Sequence, residues 1–293
     1  MWSASTFLRL IVDVLSLGSL YALMALGMVI VYGILRLVNF AYGDYIMVAG
    51  YTLFLLSKSP IPWLLMAFFG VMVAVFSSYI TERVAFRPVR ENTITAMLIT
   101  SFAVSTLFQN AALLFISPRA KLVPLPDIFS RSVVLGPLTV PVRNILGIIV
   151  SFVLLGLFVL LLKRTILGIA LRAAADKFTM TRMLGVPANL VIGSAFAISG
   201  FLAGVVSLFW FGRIGSVTPG IGLGPLLIAF IATVIGGMRS LTGAVVGGYV
   251  LALINVTFNN LLTQQFLEYR DAFTFSLVIL ILLFRPEGLI RGR

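Results

Sequence analysis

The sequence predicts an all-α fold, a polytopic transmembrane helical bundle of about 8–10 spans, some short or broken. Three observations carry that prediction. Hydrophobic residues fill 60% of the 293 positions and charged residues only 10%. A soluble domain carries about 25% charged residues, so this chain cannot cover a water-facing surface. The mean hydropathy is +1.14. The apolar residues also gather into separate runs, most of them close to the ~20 residues that cross about 30 Å of hydrocarbon as a helix.

Those runs fall near residues 10–34, 45–57, 61–81, 94–116, 141–162, 188–211, 223–237, 243–262 and 272–284. They predict nine crossings within a single domain, residues 1–293. The first run continues from Val14 past Val31. That exceeds the ~7–15-residue core of a secretory signal, so it is read as a retained span. The runs 45–57, 223–237 and 272–284 are short. A short run is tilted, re-entrant or shielded by its neighbours. Between 117 and 140, Pro118, Pro124, Pro126 and Pro137 exclude a continuous helix.

Orientation follows from Lys and Arg. Nine crossings with the N-terminus outside place 13 of these residues on one side and 8 on the other. The richer side is cytoplasmic by the positive-inside rule, which puts the C-terminus there too. Arg83, Arg87 and Arg90 and the stretch 163–187 decide the count, because both lie near span ends. The net charge of +12 therefore reports orientation. No nucleic acid partner is expected, since the basic residues are dispersed among short loops with no binding module.

Several chemistries are excluded. The chain has no Cys and no His, which removes thiolate and imidazole metal sites, cysteine nucleophiles and histidine acid–base catalysis. It contains no G-x-x-x-x-G-K-[ST] phosphate loop, no H-E-x-x-H and no G-x-S-x-G. Asp13 and Asp44 are isolated carboxylates within apolar surroundings. An ion-coupled secondary transporter, the alternative from another class, would need more intramembrane charge. The expectation is a non-enzyme with no catalytic residue, no metal and no cofactor on this chain.

Four features are candidates for function. The stretch Lys163–Pro187 is the only long cytoplasmic segment. Within it Leu171, Ala174, Ala175 and Phe178 recur at helical spacing, with Arg172, Asp176 and Thr179 on a neighbouring face. Gly185 and Pro187 then stop the helix. Such a helix either rests on membrane lipid head groups or docks a soluble partner; the small Ala residues suit close protein contact. The segment Leu37–Asp44 places Asn39, Tyr42 and Asp44 between apolar runs. Asp44 reads as an N-cap for a helix starting at Tyr45, as a partner for Arg36, or as part of a broken helix lining a pathway. The pairs Gly200/Gly204, Gly220/Gly224 and Gly243/Gly247 have helix-packing spacing, within the chain or against a second subunit. Arg285–Leu289 reads as a stop and cytoplasmic anchor.

These residues resemble a known family. Val38-Asn39-Phe40-Ala41-Tyr42-Gly43-Asp44 is similar to the N-F-A-H-G-[DE] segment of LivH-type permeases of bacterial branched-chain amino-acid ABC importers. Leu17–Leu23 and Tyr32-Gly33 fit the same pattern. Gly168 through Gly185-Val186, with Arg172-Ala173 and Asp176, is similar to the coupling segment of that family. Gly236-Gly237, Gly243, Gly247-Gly248 and Arg285–Leu289 match its later segments, in the right order along the chain. Tyr42 stands where the family usually has His. The coupling stretch carries Ala175-Asp176 and lacks the Glu-Ala-Ala spacing of many other ABC permeases.

The resemblance implies an ABC importer permease subunit in the bacterial inner membrane. Its substrate would be branched-chain or other small amino acids; urea, amides or another small polar solute are the alternative within the family. It implies a second permease (LivM-type, or a second copy), an extracytoplasmic substrate-binding protein and two ATPase subunits that hold ATP and Mg. Arg172, Ala173, Ala174, Ala175, Asp176, Phe178 and Gly185 are the expected coupling residues. Asn39, Tyr42 and Asp44 are the expected pathway residues.

Overall fold

The computed structural model describes residues 4–123, 126–135, 138–183, 185–262, 266, 269–285 and 288–290. The helices are α1 (Ala4–Leu35), α2 (Tyr42–Leu56), α3 (Trp63–Ile80), α4 (Arg87–Val89), α5 (Ile94–Phe115), α6 (Asp127–Ser130), α7 (Val142–Arg164), α8 (Ile166–Met183), α9 (Ala188–Ile214), α10 (Leu223–Gly236), α11 (Leu241–Leu261) and α12 (Arg270–Phe284). Each of the nine apolar runs is occupied by a helix. Among the described residues six helices are long and apolar enough to cross a membrane, and they begin at Phe7, Trp63, Ile94, Val142, Ala188 and Leu241. The three short runs become α2, α10 and α12, of 15, 14 and 15 residues. At 1.5 Å per residue each is about 21–23 Å long, less than the hydrocarbon thickness.

Burial shows how the short helix α2 is tolerated, whereas α12 is mostly exposed. Ten of the 15 residues of α2 are buried. In α1 every residue from Gly18 to Val31 is buried, as suits a helix that is apolar all round. The reverse pattern marks the helices facing outward. Leu64 is 76% exposed, Phe76 64% and Ile279 67%. Apolar exposure on that scale signals lipid contact rather than water.

Between Ile116 and Val142 no crossing helix forms among the described residues. The segment instead holds α6 and the β-hairpin of β2 (Ser132–Leu135) and β3 (Leu138–Pro141). Strand β1 (Lys121–Leu122) pairs with β4 (Ser216–Val217).

The chain forms two compact units interleaved in sequence. Unit 1 comprises Met1–Val29, Asp127–Val153 and Ile228–Arg293; unit 2 comprises Ile30–Pro126 and Leu154–Leu227. In unit 2, α2, α3 and α9 pack on one another, and the Gly200/Gly204 pair explains how α3 and α9 approach. A Cβ at Gly200 would sit 2.7 Å from the Ala74 carbonyl oxygen, and one at Gly204 2.8 Å from Val71 Cα. The spacing therefore serves packing inside the chain. The Gly243/Gly247 pair does the same in unit 1, where both face the last turns of α10. Gly220 and Gly224 have open space around them.

The expected stop at the carboxyl end also has a contact. Gly288 takes φ +82 against Gly237. Leu289 and Ile290 donate their N–H groups to the carbonyls of Ile235 and Gly236 at 2.8 and 3.1 Å. The tail thus satisfies carbonyls that the end of α10 leaves free. Pro286 and Glu287 lie outside the described residues.

Gly200→Val is expected to destabilise the protein by about 1–3 kcal/mol through overpacking. Gly156→Ala, in α7 where nothing lies within 4 Å, is the control. Thermal unfolding in detergent should show a lowered Tm for the first and an unchanged or slightly raised one for the second.

Candidate functional site

The turn between α1 and α2 is built from side chains that bond to backbone. The helix α1 stops at Leu35, and Arg36 takes the left-handed conformation at φ 55. Its N–H still donates to the Tyr32 carbonyl at 2.8 Å. A left-handed residue with a Cβ costs about 1–2 kcal/mol. Asn39 Oδ1 accepts the N–H of Ala41 at 3.1 Å, an Asx turn. The Asn39 carbonyl then accepts the N–H of Tyr42 at 3.1 Å, and the new helix is under way.

That geometry corrects the capping role expected for Asp44. The helix α2 begins at Tyr42, and its N-cap is Ala41, with no side-chain cap bond. The Asx turn of Asn39 starts the helix three residues before Tyr45, so Asp44 falls inside the first turn. A carboxylate there still meets the positive end of the helix dipole. Nor is Arg36 its partner: Arg36 Nη2 donates to the carbonyl oxygen of Ala175 at 3.0 Å.

The partners of the turn come from one face of α5. Ser101 Oγ accepts the N–H of Phe40 at 2.6 Å. The Phe40 ring stacks on Phe102 with centroids 3.9 Å apart. Gln109 Nε2 donates to Asp44 Oδ1 at 3.2 Å and to Ser105 Oγ at 3.1 Å. Tyr45 sets its ring edge on Phe108 and accepts a bond from Asn39 Nδ2 at 3.2 Å. Ser101, Ser105 and Gln109 recur every four residues along α5, a stripe visible in the sequence and not singled out there.

The expected pathway residues are all interior. Asn39 is 3% exposed, Tyr42 0% and Asp44 1%. Tyr42 Oη and Asp44 Oδ2 are buried without a hydrogen-bond partner. The backbone is close-packed beside them, because a Cβ on Gly43 would run into the Gly222 carbonyl.

The second candidate, the stretch 163–187, is helical over Ile166–Met183. Thr165 caps it: its Oγ1 accepts the N–H of Gly168 at 3.0 Å. At the far end Gly185 has φ +84, and Val186 N–H returns to the Thr181 carbonyl at 3.4 Å, a Schellman-type stop. Along α8, Leu171, Ala174 and Thr181 are buried. Arg172, Ala173, Asp176 and Gly185 are exposed and Ala175 is half-buried. The apolar stripe thus turns inward at Leu171 and Ala174, and the Arg172–Ala173–Asp176 face turns out. The side chain of Phe178 lies outside the described residues. So the expected coupling residues share one helix and its stop, the expected pathway residues share one turn, and Arg36 bonds the end of α1 to Ala175.

A third feature sits at the end of α3. The helix continues through a π-turn over Thr81–Phe86, with Arg87 N–H bonded to the Glu82 carbonyl five residues back. Pro88 follows and lacks the N–H that an α-helix would use. Arg90 Nη1 lies 3.7 Å from Glu82 Oε1, and its other terminal nitrogen bonds Asn189 Oδ1. The basic cluster that set the orientation is therefore partly neutralised and tied to the start of α9. Among the described residues no group of His, Cys, Asp or Glu could hold a metal.

A multi-pass bundle with buried polar turns and one exposed amphipathic helix is the architecture of a membrane transport subunit, and comparison with known proteins agrees. The family described as "Branched-chain amino acid transport system / permease component" matches residues 10–282, and the chain belongs to it. It is 34% identical over 297 residues to BraD of Pseudomonas aeruginosa, a high-affinity branched-chain amino acid transport system permease protein, covering 97% of this chain and 95% of that one. It is 32% identical over 298 residues to LivH of Escherichia coli K12, with the same coverage. LivH of Salmonella typhimurium is 31% identical over 298 residues. No solved structure matches the chain. These relatives are transport permeases, and they do not favour an ion-coupled carrier.

Gln109→Leu is expected to destabilise the protein by about 1–3 kcal/mol, because the buried Asp44 carboxylate loses its donor. Asp44→Asn keeps an acceptor for Gln109 and should cost less. Chemical unfolding of the purified protein in detergent measures both, and the order of the two losses is the check.

Proposed function

We propose that this chain is a permease subunit of an ABC importer that carries branched-chain amino acids across the bacterial inner membrane. The observation that carries the reading is the near full-length match to permeases whose names specify that transport, 34% identical at 97% coverage for BraD. The exposed face of α8 supports it. In this account two ATPase subunits bind ATP and Mg in the cytoplasm and dock on the stretch that carries Arg172, Ala173, Ala175, Asp176, Phe178 and Gly185. Ala174 acts from behind, by packing α8 onto the chain. A second permease subunit completes the pathway, and an extracytoplasmic binding protein delivers the substrate. The chain's own part is passage and coupling, and hydrolysis belongs to the partners. The N-terminus faces outward and the C-terminus the cytoplasm, which places α8 on the side of the ATPases.

The pathway role of Asn39, Tyr42 and Asp44 takes a specific form here. They are buried, so they act by fixing where α2 begins and how it leans on α5. Tyr42 stands in that turn where the family usually has His.

Ala173→Glu places a carboxylate on the exposed face without filling any internal space. In proteoliposomes holding the whole complex, it is expected to lower substrate-stimulated ATP hydrolysis at least tenfold while insertion stays normal. Unchanged stimulation would remove α8 as the docking site.

A further inference from the structure

We infer that Arg36 is a positioning residue that transmits movement of α8 to the start of α2. The inference rests on the coupling reading above and adds the connection that reading lacks. Three observations carry it. Arg36 is not Gly, yet it holds φ 55. A left-handed turn at a helix end is most cheaply made by Gly or Asn, so an Arg there points to a task for its side chain. That side chain reaches a residue 139 positions away and donates from Nη2 to the Ala175 carbonyl at 3.0 Å. Its target is backbone in the middle of α8, whose second lone pair is free to accept beside the helix bond.

The contact is local to one crossing. A Cβ on Gly33 would lie 3.5 Å from Ala175 Cβ, so the last turn of α1 touches α8 where Arg36 grips it. On the other side of Arg36 the chain is held tightly. Leu37 is buried, Phe40 is bonded and stacked on α5, and Asp44 is bonded to Gln109. Displacement of α8 therefore pulls on Arg36, and the next firm attachments are those of the turn that starts α2.

Room for such a displacement exists. The last turn of α1 borders a cavity of about 460 Å³, lined by Ile34, Leu35, Arg90, Met97, Ala188 and Ile192 among others. A close-packed interior resists shifts of this kind. Here the last turn of α1, which leads into Arg36, has space beside it on the side of α5 and α9.

The test compares three forms of the complete complex in proteoliposomes: unaltered, Arg36→Gly and Arg36→Lys. Glycine relieves the left-handed strain and removes the grip. Lysine keeps one cationic donor and guards against a glycine variant that fails to fold. The readout is the ratio of leucine-stimulated to basal ATP hydrolysis, with the leucine-loaded binding protein present. Arg36→Gly is expected to keep its Tm and its bound ATPases and to lose at least tenfold of the stimulation ratio; Arg36→Lys should lose less. A merely structural cap would leave the ratio unchanged or lower Tm in step with it, and either result overturns the inference. Ala173→Glu run beside them separates the two claims. If Ala173→Glu abolishes stimulation while Arg36→Gly retains it, only the role of Arg36 fails. If Ala173→Glu is also without effect, docking on α8 fails and the inference with it. The chain has no Cys, so a spin label on Ala173→Cys, introduced before assembly with the partners, is the only one this chain carries. Its mobility should rise when Arg36 is replaced by Gly, and an unchanged spectrum would also count against the grip.

Discussion

Backbone polar groups of a lipid-embedded chain must find their partners within protein, because no water waits in the bilayer core to receive them. The turn between α1 and α2 is where this constraint acts most strongly. There a helix breaks, its backbone groups come free, and a carboxylate lies at 1% exposure. The answer is a polar stripe on α5. Ser101 takes an N–H of the turn, and Gln109 and Ser105 form a short network with Asp44. Without that stripe Phe40 N–H and the Asp44 carboxylate lose their partners on α5.

The same constraint explains why one helix stands apart. The apolar helices keep charge away from their middles, whereas α8 shows Arg172 and Asp176 outward. The contrast with the preceding helix is plain in the residues. In α7 the charged residues Arg143, Lys163 and Arg164 lie only at the two ends, while α8 carries Arg172, Asp176, Lys177 and Arg182 along its length. It is anchored by Leu171 and Ala174, by the capping Thr165 and by the grip of Arg36. A helix held along one side and bare along the other suits a soluble partner whose movements must be felt in the membrane.

Much of this is legible in the sequence, and the limits are physical. Hydropathy is local, so every apolar run becomes a helix; the prolines after Ile116 keep the next segment from spanning. Gly185 and Pro187 end α8 as expected, since a cap depends on adjacent residues. Asp44 is not the expected cap because Asn39, five residues earlier, takes over the start of α2. Periodicity identifies the stripe of α8 but not its direction: Leu171 and Ala174 turn inward. The bond from Arg36 to Ala175 spans 139 positions and ends on a backbone atom, so no sequence pattern could announce it. Gln109 is readable, as a polar residue one helical turn from Ser105 on the same face of α5.

The central claim is that this chain passes its substrate by coupling to ATP on partner subunits. Uptake of radiolabelled leucine into proteoliposomes containing the whole complex, with ion gradients collapsed, tests it most directly. The account predicts uptake that requires ATP and the binding protein and ignores the collapsed gradients. Uptake that proceeds without ATP and follows an imposed ion gradient would contradict it.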